Sequence, residues 1–293
     1  MVLRRLTLFV AVVAATLTAV LPADAAEPMS NFIRFVNAVA GQEHLDTAIV
    51  RYQRGPQIVD LVAAVHIGDV AYYNALNTRF ATYDKVLFEL VKPEEFAMRD
   101  FAPSTGGVSA IQRVIKDFLD LDFQLDRIHY RASNFVHADI DSKRLGEKMR
   151  QHAGDILGAL LAWSIGDAAR LRHDDGSLRL TSWELVVALT DPDRPRALKR
   201  LLARELSEMD ISAGDVGGLG FGSILIGDRN QVAIAVLERE LRKKAKKFAI
   251  FYGAAHLPDL DQRLRKLGFS RADRVWLPAW DLRPLAIRGP TKI

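Results

Sequence analysis

Cysteine is missing from this 293-residue chain. That excludes disulfides, a cysteine nucleophile, a thiolate metal site and a lipidated-cysteine anchor, so the fold must be held by its core alone. Long hydrophobic runs are nearly missing too. The uncharged stretch Leu6 to Leu21 falls short of the roughly 20 residues that span a bilayer. Arg4 and Arg5 precede it and Ala23-Asp24-Ala25 follows, the pattern of a secretory signal cleaved after Ala25. The sequence therefore predicts export, to a periplasm or beyond the cell, with residues 26–293 as one domain and no integral span after signal removal. Excess charge of one sign is scarce as well: 40 basic and 36 acidic residues leave a formal +4. The one basic run, Arg242-Lys243-Lys244-Ala245-Lys246-Lys247, has Glu238 and Glu240 beside it and reads as a solvated helix face. Without an interleaved aromatic platform or a nucleic-acid motif, nucleic acid is not an expected partner.

What is there is a repeated local pattern. The apolar run Ile58 to Val65 ends on His66 and a helix pattern follows; Phe248 to Ala255 ends on His256 and a helix pattern follows again. Each reads as a strand, a turn of small residues, a histidine and a helix. In an α/β sheet this delivers both imidazoles to the carboxyl ends of strands, where such folds bind ligands.

The rest of the chain extends this plan. Asn31–Ala40 is read as a short helix, and Arg54-Gly55-Pro56 as a turn. Asp69 is placed as an N-cap whose carboxylate accepts first-turn N–H groups. The helix after it carries Val70, Tyr73, Leu76, Phe80 and Tyr83 at helical spacing. Val86 to Val91 then gives a strand parallel to the first. About 106–210 reads as a helical insertion, with helical periodicity over Ile111–Leu121, Leu145–Arg170 and Ala197–Met209 and a turn at His173–Gly176. Gly217 to Gly222 has the wrong spacing for a dinucleotide fingerprint and reads as a loop. Asp228 opens a helix to about Lys247, Pro258 suits a first turn, and Gly268 suits a C-cap. Val275-Trp276-Leu277 is expected to close a second βαβ unit. The fold class is α/β: two βαβ units in one mainly parallel sheet, with a helical insertion in the middle.

Four residues stand out for chemistry. His66 and His256, at equivalent points of two units, would face one crevice. Glu89 lies in an apolar strand, where an ionised carboxylate must be paired or bound to a cation. With the two histidines it forms a His/Glu/His set suited to a catalytic divalent metal with an open position for water. Without metal, a histidine could serve as general base with Glu89 orienting it. Arg229, in a first helical turn, opposes the helix dipole, which suggests an anion or oxyanion to be bound. His129, His137 and Tyr252 are read as structural.

At these residues the chain resembles the TraB/PrgY/GumN family, related to the TIKI proteases. The family's second Gly-x-x-His motif is matched by Gly253-Ala254-Ala255-His256, followed by Leu257-Pro258. The first reads Ala63-Ala64-Val65-His66, with alanine in place of the leading glycine. The family's strand glutamate corresponds to Glu89 and its upstream arginine to Arg229. The resemblance covers about residues 58–92 and 220–280. It implies an α/β fold shared with erythromycin esterase-like and ChaN-like proteins. It also implies metal-dependent peptide hydrolysis, with His66, Glu89 and His256 as ligands of Mn, Co or Zn and Arg229 in the catalytic set. Other relatives imply peptide or haem sequestration, or a metal-free esterase. The expected partner is a peptide or small-molecule substrate.

Overall fold

The computed structural model describes residues 31–37, 42–91, 119–151, 182–208 and 226–284. The predicted signal, the loop Gly217–Gly222, the turn His173–Gly176 and most of the predicted helices Ile111–Leu121 and Leu145–Arg170 lie outside them. Along the chain run β1 (Ile33–Val36), β2 (His44–Arg54), β3 (Gln57–Ala64), β4 (Ile67–Gly68), α1 (Val70–Phe80) and β5 (Lys85–Phe88). Then come β6 (Asp122–Phe123), α2 (Gln124–Arg127), β7 (Phe135–His137), α3 (Ser142–Gln151), α4 (Ser182–Thr190) and α5 (Arg194–Glu208). The carboxyl part holds α6 (Asp228–Leu241), β8 (Lys247–Gly253), a 3₁₀ turn (Ala254–His256), α7 (Leu257–Lys266) and β9 (Ser270–Asp281).

The main sheet runs β1-β2-β3-β8-β5-β7, with β9 on the other edge of β2. β3, β8, β5 and β7 pair in parallel. β2 is antiparallel to β1, β3 and β9, so every strand of this sheet except β2 points the same way. The expected α/β class with a mainly parallel sheet is what the structure has. Its centre is dry: Leu61, Val62, Ala63, Ile250, Phe251, Tyr252, Leu87 and Phe88 are fully buried. That is why these strands read as continuous apolar runs rather than alternations. Tyr72, Tyr73, Leu76 and Phe80 form the buried face of α1, and Phe80 packs on Phe251 and Phe135. α7 buries Leu257, Leu260 and Leu264.

Several expectations need correction. Ile33–Val36, predicted as helix, is a strand on β2; a short apolar run fits either period, and pairing decides. The strand predicted to Val91 ends at Phe88, so Glu89 sits just past it. β7, inside the predicted helical insertion, is a full member of the main sheet, although α3, α4 and α5 are helical as expected. β9 does not close beside β8: it runs the same way but lies beyond β3 and β2. α6 stops at Leu241, and most of the basic run lies past it, because Asp84 accepts the N–H groups of both Lys246 and Lys247 and turns the chain into β8. Gly268 does follow α7 with φ +82°, the left-handed geometry that suits glycine after a helix.

Candidate functional site

The histidine loop after β3 is held at nearly every backbone group. His66 O accepts from Gln124 N at 2.9 Å, and Ile67 O accepts from Trp280 Nε1 at 2.8 Å. Asp69 N donates to Ala279 O at 2.9 Å, and Ile67 and Gly68 pair with Phe123 and Asp122. Asp69 does precede α1, but its carboxylate makes no cap bond. It accepts instead from Lys199 Nζ at 3.3 Å and from Asp281 N. The pull of a buried lysine and a neighbouring strand outweighs the local cap.

Parallel pairing of β3, β8 and β5 brings the ends of all three strands together. Ala64 lies opposite Gly253, and Glu89 N donates to Phe251 O at 3.2 Å. A methyl group placed on the Cα of Gly253 would lie 3.4 Å from Glu89 Oε2, 3.7 Å from His66 Nε2 and 3.8 Å from Cδ2 of His256. The structure thus brings His66, Glu89 and His256 around one small space over Gly253. That residue has φ −51°, so its glycine is not required by backbone strain; it keeps the space open. Ala63 pairs with Tyr252 inside the buried sheet, one residue before this point, and so lies away from the open space.

Glu89 is tightly held. Oε1 accepts from Arg229 Nη2 at 2.7 Å and lies 3.5 Å from His256 Nε2, and Oε2 accepts from Gly253 N at 2.8 Å. Burial opposes its charge, but His256 in its protonated form, Arg229 and the Gly253 N–H together outweigh burial and hold its carboxyl well below the usual range. Arg229 also forms a fork with Asp139, through Nε at 2.9 Å and Nη2 at 2.6 Å. Burial works against its charge too, and the two carboxylates more than restore it, pushing its pKa up. Arg229 is therefore neither an exposed cation nor a free anion hook: its Nε and Nη2 are committed to Asp139 and Glu89.

His256, 6% exposed, has a defined proton arrangement. Asn230 Nδ2 donates to His256 O at 3.0 Å and to Asp259 Oδ2 at 2.7 Å, which turns its Oδ1 toward His256 Nδ1 at 2.7 Å. Nδ1 therefore carries the proton, and in the neutral ring Nε2 presents a lone pair toward Glu89. Two acceptors 3.5 Å apart call for a proton, a water or a cation between them. Beside them a cavity of about 220 Å³ is lined by His66, Glu89 and Arg229. The backbone N of His129 donates to Asn77 Oδ1, and His137 Nε2 meets Leu90 O at 2.6 Å. Tyr252 is buried, its hydroxyl on Ala138 O and its ring 5.2 Å from that of His256.

The chain matches no protein-family model and no curated protein by sequence. The reading of the site therefore stands on its geometry.

The donor chemistry suits a divalent cation in kind: two imidazoles, a carboxylate and an open space a Cβ would fill. His256 Nε2 and Glu89 Oε1 lie 3.5 Å apart at this space, and the same oxygen accepts from Arg229 Nη2. Among the described residues, no three such side chains are already gathered at metal-binding distance. Exposed His66 is the one that would move inward. Sequence reasoning assigned no role to Asp139, Asn230 or Gln124. Asn230 directly follows Arg229, and its spacing to Asp259 is visible only once α6 and α7 pack.

Proposed function

We propose that this is an exported hydrolase-like protein that cleaves peptide bonds at the His66/Glu89/His256 centre. The observation that carries the reading is the convergence of these side chains over Gly253, with the Nε2 lone pair of His256 turned into it. In this mechanism His256 Nε2 takes a proton from water, while Asn230 holds Nδ1–H and keeps the ring aligned. Glu89, ionised and 3.5 Å away, stabilises the imidazolium that forms. His66, on the exposed side of the centre, relays that proton from His256 to the departing amine as the C–N bond breaks. Arg229, braced by Asp139, keeps Glu89 charged and fixed. If a divalent ion is instead held by His66, Glu89 and His256, the imidazoles would serve as ligands rather than proton carriers, and the ion would supply Lewis acidity and a more acidic water.

The resemblance to the TraB/PrgY/GumN family supports this reading, and the leader pattern read in residues 4–25 supports export. Among the described residues, no helix is long and apolar enough to cross a membrane. Sequestration of haem is less well supported, because a cavity of about 220 Å³ is smaller than the ~300–1,000 Å³ of typical ligand sites. The test is turnover of a peptide mixture by purified mature protein, followed by mass spectrometry, with elemental analysis of the same preparation. His256→Gln should lower the rate by at least about 10²-fold. Undiminished turnover in that variant, or a haem absorption band in the wild type, would overturn the proposal.

A further inference from the structure

The wall of the cavity away from the three polar groups has a chemistry of its own. Leu90, Val91, Phe123 and Leu125 give it apolar surface. Gln124 also lines it and is only 5% exposed. Its Nε2 donates to the Tyr130 hydroxyl at 2.7 Å, while its Oε1 is buried with no hydrogen-bond partner among the described residues. A buried acceptor left open works against folding, and in native structures such a group calls for an explanation. The backbone of the same residue bonds His66 O, so the open acceptor is tied to the histidine loop.

We infer that this wall is a recognition subsite for a neutral amide bearing an apolar side chain, whose N–H is received by Gln124 Oε1. The inference names the substrate class of the hydrolytic centre and so rests on that reading. Each alternative ligand meets an obstacle here. An ester has no N–H and leaves Oε1 unmet. A carboxylate would face both Oε1 and Glu89. A cationic side chain would find Glu89 already engaged by Arg229 and Gly253 N–H. The size of the cavity suits one side chain and its flanking amide, not a macrocycle.

The test is binding to the wild-type protein, followed by NMR, of three small probes. These are N-acetyl-leucine N-methylamide, the same molecule with both nitrogens methylated, and N-acetyl-lysine N-methylamide. The first should bind at least about tenfold more tightly than either of the others, and should shift the His66 and Gln124 signals. Gln124→Met should abolish the difference between the first two probes. Leu125→Asp, at a residue already 43% exposed, should weaken the leucine probe about tenfold without lowering thermal stability. Equal binding of the two leucine probes to the wild type, or no saturable binding, overturns the inference. N–H-dependent binding without any peptide turnover supports the subsite while removing the hydrolase. Turnover that ignores both the N–H and the apolar side chain removes the subsite while leaving the hydrolase.

Discussion

Replacing Glu89 by Gln changes one atom and disturbs three contacts. Both carboxylate oxygens now accept: Oε1 from Arg229 at 2.7 Å and Oε2 from Gly253 N at 2.8 Å. An amide has one acceptor, so its NH₂ must face one of these donors. The variant loses a charge-assisted bond worth about 1.5–3 kcal/mol and sets a donor against a donor. Arg229 keeps its fork with Asp139, so the loss stays below the ~3–5 kcal/mol of a fully broken buried pair. About 2–4 kcal/mol at pH 7 is the result, and urea unfolding measures it. The sign with pH follows from the depressed Glu89 pKa. The unfolded chain takes up the proton first as pH falls, so the carboxylate's contribution is full above the ordinary value of 4.5 and declines below it. The gap between wild type and variant should therefore narrow from pH 7 to about pH 3. Turnover per folded molecule should fall about 10²-fold or more, since the His256 imidazolium loses its counter-charge. A variant as stable as wild type at pH 7, or a gap that widens in acid, would refute the reasoning.

Three other perturbations separate positioning from packing. Asn230→Ala should free the proton on His256 Nδ1 to move to Nε2, costing about 10–100-fold in turnover, with the altered tautomer visible in imidazole ¹⁵N shifts; unchanged shifts would remove the positioning role. Gly253→Ala meets nothing closer than 3.4 Å, so its melting temperature should stay within a few degrees of wild type while activity drops as the space fills. Equal activity there would show that the open space is not used. Lys199→Met leaves Asp69 without its cation, in a site where burial already raises its pKa, and should cost about 3 kcal/mol at pH 7 by chemical denaturation. That loss should shrink in acid as Asp69 becomes neutral.

The two histidine strands were legible because a buried parallel strand announces itself as an unbroken apolar run that ends in small residues. Asp228 and Gly268 were legible for local reasons, a helix start and a left-handed C′ position. β2 was not, because both its faces are covered: Asp46 and Thr47 are buried beside Ala48 and Ile49, which erases any alternation. β9 is longer than its apolar pattern suggests because Pro278 interrupts that pattern; the proline sits on an edge strand near a register shift, where it is tolerated. Of the site, His66, Glu89, Arg229 and His256 could be picked out as types in places. Asp139 and Gln124 could not, since each reaches the site only through tertiary pairing, β7 beside β5 and β6 beside β4.

Hydrolysis in H₂¹⁸O tests the central claim most directly. Purified wild-type protein, incubated with a peptide mixture containing leucine-type residues, should yield products whose new carboxyl groups carry ¹⁸O from the solvent. His66→Gln and His256→Gln preparations of matched folding should yield almost none. Incorporation that persists in both variants, or its absence with wild type, would contradict a water-activating centre built on His66, Glu89 and His256.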